Sequence, residues 1–170
     1  TMYIGGAEHS VLHLLYSRFV TMALKDWGHL EFEEPFPNFF AHGLVIKDGA
    51  KMSKSKGNIV IPTEVIKAYG GDALRFYILS DTPAELDRDW DDKGIKAKQE
   101  FIKKNFNNLS TYLDTVKHIK PHRGDLVTFK YQELLFDLFG GLAQLEDQLE
   151  KNLFNNAVAK VHELSNSLLK

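Results

Sequence analysis

The chain has 170 residues, 44% of them hydrophobic, no cysteine and a formal net charge of −2 at pH 7. It is long enough for one domain or for parts of two, and its hydrophobic share is typical of a protein that buries a core. The lack of cysteine excludes a disulfide framework and a cysteine-ligated zinc site, and the near-neutral charge does not indicate binding to nucleic acid or to a membrane. With no recognisable signal peptide and no apolar run of roughly 18 residues, we expect a cytoplasmic location.

The N-terminal 40 residues combine one helical pattern with one irregular stretch. Apolar residues recur at helical spacing from Ala7 to Ala23, which predicts an amphipathic helix. Gly5-Gly6 supplies flexible backbone just before this helix. Residues 31–40 contain two prolines and are predicted to be extended or irregular.

A short strand, a tight turn and a polar loop are predicted next. Residues 43–47 form an apolar run typical of a buried strand. Asp48-Gly49 is a strong signal for a hairpin turn. Residues 51–58 are polar, lack apolar periodicity and include Gly57, so we expect a mobile loop there.

Two short helices and a polar connection are predicted between residues 63 and 91. Thr63 is a candidate N-cap for a helix that ends at Gly70. Asp72 is a candidate N-cap for a second helix that reaches about Leu79. Residues 81–91 are rich in aspartate and are predicted to form a solvated connection that supplies caps for the next helix.

Three amphipathic stripes follow Asp92 and predict a helical bundle, with a break at Pro121 to Gly124. The stripes comprise Ile95, Ile102, Phe106, Leu109, Leu113 and Val116; Tyr131, Leu134, Leu135, Leu138, Leu142, Leu145 and Leu149; and Phe154, Val158, Val161, Leu164 and Leu168. The lysines of the first of these three helices are candidates for contacts with nucleic-acid phosphates, although a solvated helix face explains them equally well. These lysines are Lys96, Lys98, Lys103 and Lys104.

The polar loop concentrates positive charge. Lys51, Lys54 and Lys56 fall within six residues and alternate with Ser53 and Ser55. A lysine ammonium on a flexible stem suits the binding of a polyphosphate, and serine hydroxyls add hydrogen-bond donors. Such a loop could close over a triphosphate and stabilise the charge that develops as pyrophosphate leaves. A solvated basic loop without function is the alternative.

A second group of polar residues surrounds the start of the first predicted helix. Glu8 and His9 lie in its first turn, and His9 and His13 are four apart, which would place them on one helical face. A metal-binding pair is one interpretation, but a zinc site needs a third ligand and Glu8 precedes His9, unlike the order in metalloproteases. Packed or capping histidines are another interpretation.

The order of residues in the polar loop resembles a known family. Lys51-Met52-Ser53-Lys54-Ser55 is similar to the second signature of the class I aminoacyl-tRNA synthetases, which activate an amino acid with ATP and magnesium on a Rossmann-like sheet and transfer it to tRNA. The resemblance implies that Lys51 and Lys54 hold the triphosphate, that Met52 lies near the adenine, and that Ser53 and Ser55 shape the loop. Because the chain has no cysteine and the histidine pair lacks a third ligand, no zinc is expected in this segment.

The N-terminal stretch from Tyr3 to Phe19 resembles the leucyl enzymes of that class, in the segment that lines their leucyl-adenylate pocket. The resemblance implies that four residues surround the adenylate and that His13 contacts the leucine side chain. Those four are Tyr3, Gly6, Glu8 and His9. Leucine, ATP and tRNA(Leu) are the expected ligands and partners.

The resemblance also sets the expected domain organisation. We expect an α/β fold in which residues 1–95 form the C-terminal half of a Rossmann-like catalytic domain and residues 96–170 begin an α-helical bundle of the anticodon-binding type. The first class signature, His-x-Gly-His, does not occur in the chain, and no editing domain is recognisable. The chain alone is therefore expected to be inactive and to need the upstream half of the enzyme, whether it is a natural split subunit or an excised fragment.

Two other hypotheses remain at this point. One is a non-catalytic synthetase-like module that binds nucleic acid, which the near-neutral charge and the complete lysine loop disfavour. The other is a class I synthetase for methionine or a branched amino acid. That enzyme would need a pocket different from the one that residues 3–13 resemble.

Overall fold

The structure is a computed structural model that describes residues 1–118 and 132–168, as five strands, six α-helices and two short 3-10 helices. The predicted break at Pro121 to Gly124 and the start of the second stripe at Tyr131 lie outside the described residues. The strands are β1 (Met2–Gly6), β2 (Asn38–His42), β3 (Val45–Lys47), β4 (Ala50–Lys51) and β5 (Arg88–Asp89). The α-helices are α1 (His13–Asp26), α2 (Pro62–Tyr69), α3 (Gly71–Leu79), α4 (Asp92–Val116), α5 (Gln132–Glu150) and α6 (Phe154–Leu168), and the 3-10 helices are Ala7–Ser10 and Lys54–Lys56.

Strands β1 and β2 form a parallel two-stranded sheet in which Met2 pairs with Asn38 and Gly6 with His42. The sequence did not predict β1, because two adjacent glycines are unfavourable within a strand. In the structure a Cβ on Gly5 would lie 2.8 Å from the Cε1 atom of Tyr3. The glycine therefore makes room for the Tyr3 ring beside the backbone.

The first helix begins later than predicted. Residues Ala7–Ser10 form a separate 3-10 turn, and α1 runs from His13 to Asp26. The backbone of Leu12 is not helical, with φ of −114° and ψ of −97°, and this breaks the continuity between the two segments. The prediction that His9 and His13 share one face of a single helix is therefore wrong.

The apolar stripe of α1 is largely exposed in this chain. Leu15 and Phe19 are 57% and 70% exposed, and Val20 and Met22 are also exposed. A side chain of this kind loses roughly 1.5–3 kcal/mol of burial free energy when it stays in water. Within residues 1–118 and 132–168, no element covers these side chains of the stripe.

A second sheet has the order β4-β3-β5, with β3 antiparallel to β4 and parallel to β5. The predicted strand and the predicted hairpin turn are confirmed. Asp48 and Gly49 both adopt left-handed backbone conformations, with φ of 56° and 69°, as a tight turn of this type requires. The prediction that residues 81–91 are only a solvated connection is wrong, because β5 lies within them and pairs with β3.

The two predicted caps of α2 and α3 are also wrong. Helix α2 begins at Pro62, whose fixed φ suits the first helical position, so Thr63 lies inside the helix. Helix α3 begins at Gly71, and Asp72 lies in its first turn, where its carboxylate accepts a hydrogen bond from Arg75 at 3.3 Å. A carboxylate there is still favourable, because it faces the positive end of the helix dipole.

The core of the N-terminal part forms where α2, α3 and α4 meet. Val65, Tyr77 and Ile95 are buried together, and Trp90 packs edge-on against Tyr77 with ring centroids 5.0 Å apart. Asp91 caps α4, as predicted, by accepting hydrogen bonds from the backbone of Lys93 and Gly94.

Helices α4, α5 and α6 confirm the three predicted amphipathic helices. Helix α5 packs along α6, and both α4 and α6 contact α3. At Gly141 the helices α5 and α6 approach closely, since a Cβ there would lie 2.4 Å from the Cδ2 atom of Leu164. The helical part therefore rests on α3 at the end of the α/β part.

Candidate active site

The lysine loop is an ordered turn that follows the β3–β4 hairpin. Residues Lys54–Lys56 form a 3-10 helix rather than irregular backbone. The Oγ atom of Ser53 accepts a hydrogen bond from the Lys56 backbone at 3.3 Å, and Gly57 ends the turn in a left-handed conformation with φ of 68°. Glycine adopts that conformation at the lowest cost, because it has no Cβ.

The three lysines of the loop point into solvent. Lys51, Lys54 and Lys56 are exposed, and none of them forms an ion pair within residues 1–118 and 132–168. The Oγ atoms of Ser53 and Ser55 are 3.2 Å apart on the same turn. The loop thus presents three uncompensated positive charges and two hydroxyls, which is a suitable surface for a polyphosphate.

Asn58, which was not among the predicted site residues, is buried at the base of this loop. Its Oδ1 atom accepts a hydrogen bond from the backbone N–H of Ser53 at 2.9 Å, and its Nδ2 atom donates to the carbonyl of Lys47 at 3.2 Å. No periodic pattern marks such a residue, and its position after Gly57 was the only available signal.

At the N-terminus the structure brings Tyr3, His9 and His13 together. The ring of Tyr3 stacks on His13 with centroids 5.3 Å apart and an interplanar angle of 22°, and it meets the edge of His9 at 6.4 Å. Phe36 and Phe39, which the sequence analysis did not assign to the site, also pack on Tyr3, at 5.1 and 5.7 Å. An aromatic cluster with two imidazoles therefore lies beside β1.

Gly6 and Glu8 lie at the carboxyl end of β1, which is the end of a parallel sheet where ligands bind in α/β folds. The Glu8 side chain folds back over Gly6, so closely that a Cβ on Gly6 would lie 2.2 Å from the Oε2 atom of Glu8. The Nδ1 atom of His9 is buried and makes no hydrogen bond within the described residues. Buried polar atoms rarely remain without a partner, so this atom is a candidate contact for a ligand.

The N-terminal group and the lysine loop are two separate groups in this chain. Within residues 1–118 and 132–168, no hydrogen bond, ion pair or aromatic contact joins them. The same residues contain no group of three or more histidine, cysteine, aspartate or glutamate side chains placed to hold a metal ion. None of the helices among them is long and apolar enough to cross a bilayer.

The α/β part and the helical part meet at a charged junction around Asp81. Its carboxylate lies 3.6 Å from Arg88 of β5 and 3.1 Å from Lys98 of α4, and it also accepts a hydrogen bond from Ser80. Partial burial acts to raise the pKa of Asp81, but hydrogen bonds from Lys98 and Ser80, with the charges of Lys98 and Arg88, outweigh it and hold that pKa below its usual range. Lys98 is therefore an internal partner of Asp81 and not the free phosphate-binding candidate that the sequence suggested.

His162 of α6 lies next to this junction, beside the stacked rings of Phe76 and Phe101, with its ring centroid 3.7 Å from that of Phe101. Burial, followed by the nearby charge of Lys98, lowers the pKa of His162. The junction thus contains one carboxylate that stays charged and one histidine that stays neutral near pH 7.

Parallel strand pairs separated along the chain by helices define an α/β protein. The family model for tRNA synthetases class I (I, L, M and V) matches residues 2–91. The chain therefore belongs to the class I tRNA synthetases of this group.

Curated relatives and solved structures give the same result in more detail. The leucine–tRNA ligases of Thermosipho melanesiensis and Thermotoga maritima are 46% and 47% identical over 167 residues, which cover 98% of this chain and 20% of each relative. The LeuRS of Agrobacterium radiobacter K84, solved as a ternary complex with tRNA and LeuAMS, has a TM-score of 0.89 and 33% identity over 99% of this chain and 22% of that one. A Mycobacterium tuberculosis methionyl-tRNA synthetase shares the fold, with a TM-score of 0.73 and 23% identity over 98% of this chain and 32% of its own. The chain thus spans about a fifth of the length of the curated relatives that it matches.

Proposed function

We propose that this chain is the part of a leucine–tRNA ligase that clamps the triphosphate of ATP and lines the leucyl-adenylate pocket. The observation that supports this most directly is the loop whose three exposed lysines form no ion pair within residues 1–118 and 132–168. The identity to leucine–tRNA ligases supports the choice of leucine. The reaction would join leucine to AMP with release of pyrophosphate, and then transfer leucine to tRNA(Leu).

In this proposal the lysine loop handles the triphosphate. Lys54 and Lys51 neutralise charge on the phosphates and on the departing pyrophosphate, where a well-placed donor contributes most. Ser53 and Ser55 shape the turn through the contact between their hydroxyls. Met52, half-buried between Lys51 and Ser53, lies against the adenine. Magnesium would come with the phosphates of ATP, since Mg²⁺ in such sites keeps few protein ligands.

The N-terminal group would hold the aminoacyl-adenylate. Gly6 lies at the carboxyl end of β1 beneath the Glu8 side chain, and the His9 Nδ1 atom, which has no partner within residues 1–118 and 132–168, offers the ligand a hydrogen bond. Glu8 lies beside Gly6. His13, held by its stack on Tyr3, would contact the leucine side chain.

The exposed face of α1 supports the proposal that further parts of the enzyme pack on this chain. Leu15, Phe19 and their neighbours form an apolar face, and its exposure to water is unfavourable. We propose that the upstream half of the enzyme, which would also supply the rest of the ATP site, covers this face. The isolated chain is therefore expected to show no leucine activation.

The helical part would contact the tRNA. We propose residues 1–95 as catalytic and residues 96–170 as the start of the anticodon-binding bundle; the boundary falls in the first turn of α4. Lys96, Lys103 and Lys104 are exposed on α4 and remain candidates for phosphate contacts.

A chimeric enzyme tests the proposed function. Residues 1–168 of this chain replace the matching segment of the Thermotoga maritima leucine–tRNA ligase, and leucine-dependent ATP–pyrophosphate exchange is measured. We expect exchange with leucine in the chimera and none with the isolated chain. A folded chimera that shows no exchange, or that exchanges faster with isoleucine, valine or methionine than with leucine, would overturn the proposal.

A further inference from the structure

Asn58 is one of the few polar residues that the structure buries, with 9% of its surface exposed. It follows the lysine turn directly, whereas the lysines themselves are in solvent. A buried amide costs free energy unless its donor and acceptor atoms are both used. The partners of this amide therefore indicate why it is there.

Both ends of the Asn58 amide bind backbone at the base of the loop. Oδ1 accepts from the N–H of Ser53 at 2.9 Å, on the loop side. Nδ2 donates to the carbonyl of Lys47 at 3.2 Å, and the carbonyls of Ala50 and Lys51 lie 3.5 Å away, at the limit of a hydrogen bond. The side chain thus joins the end of β3 and both residues of β4 to Ser53, the N-cap of the 3-10 helix Lys54–Lys56.

We propose that Asn58 is a positioning residue that fixes the direction in which the lysine loop leaves the β3–β4 hairpin, and thereby the placement of Lys51 and Lys54. The inference rests on the proposed function of those lysines. Asn58 accepts from the backbone of Ser53 and donates to the carbonyl of Lys47, so it ties the start of the turn to the end of β3, in the hairpin that carries Lys51. The ammonium groups of Lys51 and Lys54 stabilise the negative charge that develops on the phosphates most effectively when they are already in position.

The geometry requires an amide and not a carboxylate. An aspartate at position 58 would still accept from Ser53, but it would turn an unprotonated oxygen toward the carbonyls of Lys47, Ala50 and Lys51. Asn58→Asp therefore keeps the size of the side chain, replaces the donor half of the brace by an acceptor and adds a negative charge at the base of the loop. Asn107→Asp, at an exposed position of α4, adds the same charge without touching the loop and is the matched control.

The experiment uses the chimeric enzyme and three measurements. Asn58→Asp is expected to lower the rate of leucine-dependent exchange at saturating leucine and ATP by about 10- to 100-fold, as loss of a buried hydrogen bond in the active form predicts. Affinity for LeuAMS, an adenylate analogue without a β- or γ-phosphate, is expected to change by less than about threefold, as is exchange by Asn107→Asp. The thermal midpoint of unfolding is measured in parallel.

A double-mutant cycle separates positioning from stability. If Asn58 acts through the loop, Asn58→Asp should lower exchange by less than about threefold in a Lys54→Ala background, whereas independent effects multiply. The inference is overturned by multiplying effects, by a loss of exchange below about threefold, or by a parallel loss of LeuAMS affinity and thermal stability. An unsubstituted chimera without exchange would instead overturn the proposed function, and this inference with it, whatever residue stands at position 58.

Discussion

Replacement of Asp81 by asparagine tests the junction between the α/β part and the helical part. Asparagine keeps the size of the side chain and also tolerates the left-handed backbone of this position, where φ is 66°. It removes the counter-charge of Arg88 and Lys98, whose side chains are only 9% and 13% exposed, while Asp81 itself is 57% exposed. Loss of one partner from a fully buried pair costs roughly 3–5 kcal/mol and loss of a surface pair about 0–1 kcal/mol, so we expect an intermediate cost of about 2 kcal/mol.

The assay is thermal and urea unfolding of the 170-residue chain, with Asp72→Asn as the control, because Asp72 pairs with Arg75 at a fully solvated position. About 2 kcal/mol corresponds to a decrease of about 4–8 °C in Tm for a chain of this size, and the control should change Tm by less than about 2 °C. The pKa of Asp81 is below its usual range. Its contribution is therefore complete above the unfolded pKa of about 3.9 and disappears as the pH falls through the folded pKa. A decrease no larger than that of the control at pH 7 would refute the reasoning, and a difference that persists below the folded pKa would assign the effect to packing instead of charge.

Three other expectations concern the site and the bundle. In the chimera, Lys54→Ala should lower the exchange rate by a factor of about 100 to 1,000 with little effect on the KM for leucine, and a decrease under about threefold would mean that the loop does not clamp the phosphates. His13→Ala should raise the KM for leucine about fivefold to tenfold, since the stack on Tyr3 is lost; an unchanged KM would leave His13 with a packing role. For His162, whose pKa is lowered by burial, the folded chain binds fewer protons than the unfolded chain, so stability should fall as the pH drops from about 6.5 through the lower folded pKa. His162→Gln should remove that part of the slope in urea midpoints measured between about pH 7.5 and 5, and equal slopes in both proteins would contradict the assignment.

Features with a strong local signal could be predicted from the sequence. The hairpin at Asp48-Gly49 follows from two residues that tolerate positive φ, and α4, α5 and α6 follow from long apolar periodicities. The α/β class and its family resemblance are confirmed by the match over residues 2–91. Each of these signals lies within one short stretch of sequence, which is why the sequence alone sufficed.

Features that depend on distant partners could not be predicted. Strand β1 exists because it pairs with β2, more than thirty residues away, despite its two glycines. Likewise, β5 is two residues long and is defined only by its pairing with β3. The start of the first helix was predicted too early for a local reason. The apolar periodicity continues across Leu12, where the backbone is not helical.

The candidate site was predicted unevenly for the same reason. The loop lysines were found because their order along the chain carries the pattern. Tyr3, His9 and His13 were predicted from the family resemblance. Their contact through the Tyr3 ring could not be derived from the sequence, because His9 and His13 do not lie on one continuous helix. Asn58 was missed because its role lies in the carbonyls that surround it, and those come from β3 and β4.

Strand β5 has a consequence for how the connection between residues 81 and 92 tolerates change during evolution. Its two side chains contact different parts of the structure. Arg88 pairs with Asp81 at the junction, and Asp89 accepts a hydrogen bond from the backbone of Gly49 at 3.0 Å in the hairpin turn. Successive residues of a strand point to opposite faces, so a shift of one residue would exchange the two. We therefore expect a single-residue insertion or deletion in this connection to be tolerated less readily than substitutions at positions other than Asp81, Arg88 and Asp89.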